Sequence, residues 1–133
     1  MAQINLVIVT PEMTTLDADV DGVTVPLVDG SAGILAGHAP MIGRLGPGEV
    51  RTQNGSTTER YYVDGGFVQV EGNKVSVLTG RSIPAAEIDV AAAKAALAEA
   101  EQQESGNADL AAIKSKAVAQ ARAQIRMAEG AQS

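Results

Sequence analysis

The chain changes character once, near residue 88, and that break limits what it can fold into. Up to Glu87, short runs of Val, Ile, Leu and Thr are punctuated by Gly, Pro, Asn and Asp; beyond Asp89 there is no proline and alanine dominates. Branched residues between turn formers read as short strands, and an uninterrupted run of strong helix formers reads as helix. The 133 residues suit one average domain or a small domain with an appendage, long enough to bury a real core. The expected organisation is a strand-rich part over 1–87 and a helical part over 88–133.

In the first part, strand-like stretches lie at 4–10 (INLVIVT), 22–28 (GVTVPLV), 48–53 (GEVRTQ), 59–70 (ERYYVDGGFVQV) and 74–80 (KVSVLTG). Asn54-Gly55 suits the centre of a type I′ hairpin turn, and Gly72-Asn73 a turn between Val70 and Val75. Asp64-Gly65-Gly66 reads as a third turn or as a bulge in a long bent strand. Strands at this spacing predict a compact antiparallel β-sandwich or barrel.

The second part predicts a two-helix antiparallel hairpin. Asp89 caps a helix over VAAAKAALAEAEQQE, Gly106 ends it, and Asn107 caps a second helix running to about Ala128. Leu110, Ile113, Ala117, Ala121, Ile125 and Ala128 form its apolar stripe. Half of that stripe is alanine. Burial contributes roughly 0.8 kcal/mol per methylene, whereas ordering costs about 1.5 kcal/mol per residue. Such a hairpin is expected to dock weakly and to be able to redock elsewhere.

Charge and composition exclude several functions. The net charge is -6 with sixteen acidic residues against ten Lys and Arg, so nucleic acid is not an expected partner. No cysteine is present, which removes disulfides, thiol nucleophiles and thiolate metal sites and fits a reducing compartment such as the cytoplasm. The opening MAQINLVIVTPEM reads neither as a signal peptide nor as a membrane span, so no direct membrane insertion is expected. There is no phosphate-cradling G-x-x-x-x-G-K-[ST], no dinucleotide turn and no G-x-S-x-G elbow. Asp17, Asp19 and Asp21 start like a calcium loop, but Val28 stands where a bidentate Glu belongs, and a solvated acidic strand or loop is the better reading. A lone His38 cannot build a transition-metal site; neither a catalytic residue nor a metal is expected.

The stretch Gly30 to Pro40, GSAGILAGHAP, is different. Its small residues and three glycines permit tight bends and close approach of another backbone, so it reads as a contact surface with His38 making a structural hydrogen bond or an interface contact. Lys114, Arg122 and Arg126 share one flank of the second helix, where either an acidic partner or only solvent can lie.

GSAGILAGHAPMIGRLGPGEV (30–50) closely resembles the signature of the epsilon subunits of F-type ATP synthases, in which Gly-His-Ala-Pro is followed by a Leu-x-Pro-Gly element, here Leu45-Gly46-Pro47-Gly48. YYVDGGFVQVEGNKVSVLTG (61–80) resembles the same family's tyrosine-valine, Gly-Gly-Phe and Val-x-Val-Leu strands, and Glu87-Ile88-Asp89 resembles the opening of its C-terminal hairpin. Ala36 departs from the proline that often precedes Gly-His in the family. The resemblance covers nearly the whole chain. It implies a non-catalytic central-stalk subunit of the complex that makes ATP from ADP and phosphate, peripheral on the cytoplasmic face of the membrane. It further implies that Ser31, Gly33, Gly37, His38, Ala39 and Pro40 face the rotor ring of c subunits and the gamma subunit. Lys114, Arg122 and Arg126 would engage the beta subunit of the alpha/beta head, and the hairpin would extend to block hydrolysis. Some family members bind ATP on the hairpin. Here Ile88, Asp89, Arg122 and Arg126 match that pattern while Ala92 replaces its arginine, so weak ATP contact and no cofactor are expected. The competing reading is a free-standing β-sandwich binding module with a helical interaction tail.

Overall fold

The computed structural model describes residues 2–129. The chain divides into two compact units, residues 1–84 and 85–133. The first contains strands β1 (Ile4–Val9), β2 (Thr14–Val20), β3 (Gly22–Leu27), β4 (Gly30–Leu35), β5 (Met41–Asn54), β6 (Thr57–Glu71), β7 (Lys74–Leu78) and β8 (Ser82–Pro84). They follow the order β2-β1-β7-β6-β5-β3-β4, with β8 pairing β6. All pairings are antiparallel except β1 with β7. This is a β-sandwich. Ile4, Leu6 and Ile8 of β1, Val23 and Val25 of β3, Val68 and Val70 of β6 and Val75 and Val77 of β7 fill its core, each set at the two-residue spacing that puts side chains on one face of a strand.

Three strands lie outside the stretches expected from sequence. β2 pairs its whole length with β1, but its outward Asp17 and Asp19 conceal the strand; both accept from the Asn5 amide, at 3.0 and 3.2 Å. Among the described residues no cluster of metal-ligating side chains forms. β4 is the first half of the glycine-rich stretch. β8 is a short pairing with the start of β6. The two hairpin turns also differ in detail from expectation at one point. Asn54 pairs Thr57, so Gly55-Ser56 forms the turn centre; Gly55 has φ +63° and Ser56 has no positive φ, the pattern of type II′ rather than I′. Gly72, with φ +60°, leads the β6–β7 turn in the same way.

The Gly65-Gly66 pair is neither a turn nor a bulge. β6 runs unbroken from 57 to 71, and its register with β5 is continuous from Met41↔Val70 to Asn54↔Thr57. What changes is the face. Val63 and Tyr61 point to the core on one side of the pair, Val68 and Val70 on the other, so the inward parity shifts between them. β5 shifts at the same level, from Met41 and Leu45 to Val50 and buried Thr52, across Gly46-Pro47-Gly48. The two long strands thereby pass from one layer of the sandwich to the other. Gly65 and Gly66 sit at φ +106° and +115°, open only to glycine. A Cβ on Gly66 would lie 1.9 Å from the Leu78 carbonyl oxygen. Around the crossing, Asp64 donates its backbone N–H to Thr79 Oγ1 and to the Arg81 carbonyl, both at 3.2 Å, and the fully buried Tyr62 donates its phenol to Asp64.

In the second unit a 3-10 turn (Ala85–Glu87) precedes α1 (Val90–Glu101) and α2 (Ala108–Glu129). Asp89 caps α1 by accepting the Ala92 N–H at 3.0 Å, and Asn107 caps α2 by accepting that of Leu110 at 2.9 Å. α1 stops three residues short of the expected end. Gln102 caps it, and Gln102 and Gln103 return 3-10 bonds to Glu99 and Ala100; these satisfy the last carbonyls without Gly106, which does not take a positive φ. The helices pack against each other, with ion pairs Lys94–Glu129 (3.5 Å) and Arg122–Glu101 (3.7 Å) spaced seven residues apart on both helices, as antiparallel packing requires. The expected stripe holds at four of its six positions: Ala121 is buried and Ala117, Ile125 and Ala128 are half-buried, whereas Leu110 and Ile113 are exposed; Ala123, Gln124 and Met127 are buried in addition.

Gly66→Ala should cost on the order of 3 kcal/mol or more, because a forbidden φ and a backbone clash coincide. Gly72→Ala, in open space, should cost only about 1 kcal/mol. Equal losses in urea unfolding would contradict the crossing argument. Asp21 supplies a second prediction. Its carboxylate accepts the Gly55 N–H at 2.7 Å and the Gln3 amide at 3.3 Å, and these bonds, the first above all, hold it below the usual carboxylate range. A depressed value means stabilisation that is present above the ordinary carboxylate range and lost as pH falls through the folded value. The stability difference between the native chain and Asp21→Asn should therefore shrink on acidification; a difference that stays constant with pH would contradict it.

Candidate functional site

The Gly30–Pro40 stretch begins as β4, the last strand of the sheet path, paired on one side with β3 from Leu27↔Gly30 to Gly22↔Leu35 and open on the other. Ile34 is buried and Ala32 half-buried, facing Val23 and Val25 across the pair; Ser31, Gly33 and Leu35 are exposed. The fold accounts for two of the three glycines: Gly30 has φ +132° and Gly37 φ +85°. It does not account for Gly33. That residue has no positive φ, and a Cβ there would meet nothing within 4 Å.

After β4 the chain turns, with His38 N–H donating to the Leu35 carbonyl at 3.1 Å. The turn is tied to a distant hairpin: Gly37 N–H donates to Asn73 Oδ1 at 3.2 Å, while the Asn73 carbonyl accepts the Asn5 N–H at 2.8 Å. Asn73 thus holds three segments at one end of the sandwich, a role that sequence reasoning, treating it as a turn residue, did not reach. His38 Nδ1 lies 2.8 Å from the Ala39 carbonyl oxygen. Since a carbonyl oxygen only accepts, that contact places a proton on Nδ1. Ala39 and Pro40 are exposed, and beside them Pro40, Met41, Ile42, Gln69, Val70 and Glu71 line a cleft of about 460 Å³. Ser31, Gly33, Gly37, His38, Ala39 and Pro40 therefore belong to one continuous edge and loop.

A second feature escaped the sequence reading. Ile42, Phe67 and Leu78 are exposed by 74, 52 and 46%. Phe67 pairs Leu78, and Ile42 pairs Gln69 next to it, so the three lie on one outer face across β5, β6 and β7. The only phenylalanine of the chain thus stands outside the core. Consecutive apolar residues such as Phe67-Val68 hide which of the two faces is wet. The signal was present in the alternation: Val68, Val70, Val75 and Val77 claim the inner face of both strands, which leaves Phe67 and Leu78 outside.

In the helical unit, Lys114 and Arg122 line a cleft of about 410 Å³ with Ser105, Ala111, Ser115, Val118 and Ala119. Arg126 is exposed on α2 and outside that lining. The residues matching the ATP pattern do not converge. Ile88 is buried, Asp89 is engaged as the α1 cap and Arg122 pairs with Glu101. Asp89 and Glu101 are twelve residues apart on α1, which at 1.5 Å per residue separates Asp89 from Arg122's partner by roughly 18 Å. Among the described residues no helix is long and apolar enough to cross a membrane.

The comparisons with known proteins agree with this architecture. The family model described as ATP synthase, Delta/Epsilon chain, beta-sandwich domain matches residues 3–85. A Rhodopirellula baltica protein named ATP synthase epsilon chain is 51% identical over 92% of this chain and 96% of its own length. One of the same name from Granulibacter bethesdensis is 45% identical over 76% of each. Among solved structures, a chain of the Euglena gracilis mitochondrial ATP synthase, in an assembly of OSCP, F1 and c-ring, superposes with a TM-score of 0.79 at 27% identity, covering 98% of this chain and 81% of that one. A chain from the Tetrahymena thermophila central stalk and c-ring, at 17% identity and a TM-score of 0.61, shares the fold. With a sandwich matched by the family model and relatives this similar along almost its whole length, the chain belongs to the ATP synthase epsilon-chain family.

Proposed function

We propose that the chain works as a non-catalytic rotor subunit: its sandwich links the gamma subunit to the c-subunit ring below the alpha/beta head, on the cytoplasmic face of the membrane. The observation that carries this reading is the outer face of Ile42, Phe67 and Leu78. A lone small sandwich has no reason of its own to leave an aromatic and two aliphatic side chains exposed in one row, and such a row marks a partner surface. We assign that face to gamma. The Ser31–Pro40 edge meets the ring: its small side chains, with Gly33 kept bare where the fold leaves room, admit a neighbouring backbone, and His38 stands in the loop beside them.

Coupling needs a rigid connector rather than chemistry. Torque passes through a subunit only if its own interior does not yield, and the crossing at Gly65-Gly66 with its Asp64, Thr79 and Arg81 bonds supplies continuous strands from one layer to the other. The hairpin is suited to change position. Its helices meet largely through alanines, and both ion pairs are solvent-exposed, a setting in which a pair contributes little. The exposed Leu110 and Ile113 and the cations Lys114, Arg122 and Arg126 then engage an acidic segment of the beta subunit when the hairpin extends and slows hydrolysis. ATP binding on the hairpin is weak in this reading, since Ala92 provides no cation.

Three measurements test the proposal. Reconstituted with cognate alpha, beta and gamma, the chain should comigrate with gamma, and Phe67→Glu should abolish comigration while leaving thermal unfolding nearly unchanged; failure to comigrate would favour the free-standing module. Gly33→Leu should likewise fold normally, yet reduce assembly with the ring. Deleting 88–133 should raise ATP hydrolysis by the assembled head, and an unchanged rate under every condition would remove the inhibitory role.

A further inference from the structure

The tip of the β5–β6 hairpin carries Asn54-Gly55, both exposed. An Asn side chain followed by glycine is chemically labile, because no Cβ hinders the next amide nitrogen. That nitrogen attacks the Asn Cγ, a new N–C bond forms, the Cγ–Nδ2 bond breaks and ammonia leaves with the displaced proton. Water then opens the cyclic imide at either carbonyl, giving aspartate or isoaspartate. The net change is gain of water and loss of ammonia, with no oxidant or cofactor.

Here both reacting groups are held. The nucleophile, Gly55 N, donates its hydrogen to Asp21 Oδ2 at 2.7 Å. The electrophilic amide is restrained from two sides: Asn54 Oδ1 accepts from Gln3 Nε2 at 3.1 Å, and Asn54 Nδ2 donates to the Asp19 carbonyl at 3.4 Å. Gln3 also reaches Asp21 at 3.3 Å, and Asp21 N–H donates to the Gln53 carbonyl at 2.8 Å, which fixes the carboxylate against the hairpin. To attack, Gly55 N must give up its proton. A carboxylate is far too weak a base to take it, and its negative charge disfavours an amide anion forming beside it. The bond also pins the nitrogen in the type II′ turn.

We infer that Asn54 is a latent deamidation site and that Asp21, through its bond to the Gly55 N–H, keeps it unreactive in the folded chain. Conversion at position 54 would set a new carboxylate beside Asp21, and the isoaspartyl product would add a methylene to the backbone where the hairpin register closes at Asn54↔Thr57. The tip of the two longest strands would loosen as a result, so the guard protects the fold as well as one side chain.

The test follows the small mass gain of the peptide containing Asn54 during incubation of the full chain at neutral pH and body temperature, for the native chain, for the same chain in urea and for Asp21→Ala. The native chain should react many-fold more slowly than the unfolded one, and Asp21→Ala should recover most of that rate while amide exchange elsewhere in β5 and β6 stays native. If Asp21→Ala does not fold, Asp21→Asn, which preserves shape without the charge, should accelerate the reaction severalfold. A native rate equal to the unfolded rate, or a folded Asp21 variant no faster than the native chain, would overturn the inference.

Discussion

The close approach of Gly66 to the Leu78 carbonyl is the constraint on which the sandwich depends. β5 and β6 are the longest strands, and each contributes to the core on both sides of the crossing. A strand that keeps one parity can face only one layer. The parity shifts on both strands at the same level. On β6 Gly65 and Gly66 make it with backbone that non-glycine residues rarely adopt; on β5 Gly46 and Gly48 have no positive φ, and Gly48 is bare because a Cβ there would lie 2.9 Å from Pro26 Cβ. The motifs that carry the family resemblance, Leu-Gly-Pro-Gly and Gly-Gly-Phe, are thus first of all the geometry of this crossing, and Phe67 is turned outward by it.

What could be read from the sequence follows from how local each cause is. Five strands and both helix caps were legible because side-chain type and neighbouring turn residues determine them. β2 was hidden because its outward aspartates, bonded to Asn5, make an edge strand resemble an acidic loop. The first seven residues of β5 were hidden because glycine and proline weaken strand propensity at the very crossing that makes the strand long. The end of α1 at Glu101 was missed because 3-10 closure through Gln102 and Gln103 competes with a glycine cap and leaves no compositional mark. The type II′ geometry at Gly55-Ser56 depends on a register set by distant pairing, Asn54 with Thr57, which no short window contains.

The site was legible as a stretch and illegible as a surface. Small residues announced the Gly30–Pro40 edge, yet which glycine serves the fold and which serves something else emerges only from the dihedrals. Gly30 and Gly37 answer to φ; Gly33 answers to neither φ nor crowding. Asn73 illustrates the same limit, since its bonds to Gly37 and Asn5 join segments more than thirty residues apart in the chain. The Ile42, Phe67 and Leu78 row required knowing the inner face of three strands at once.

Sandwich and hairpin also differ in how their stability is distributed, and that difference bears on function. In the sandwich, branched side chains buried to within a few per cent make each strand's contribution depend on its neighbours, so the unit resists partial opening. In the hairpin, the buried positions are mostly alanine, Gln124 is buried among them, and two large aliphatic residues are exposed. Alanine offers little to bury beyond its high helix propensity. Propensity and the Asp89 and Asn107 caps favour each helix, while the contact between the helices adds little large apolar surface. One chain thus joins a unit of interlocking branched side chains to one whose buried positions are mostly small.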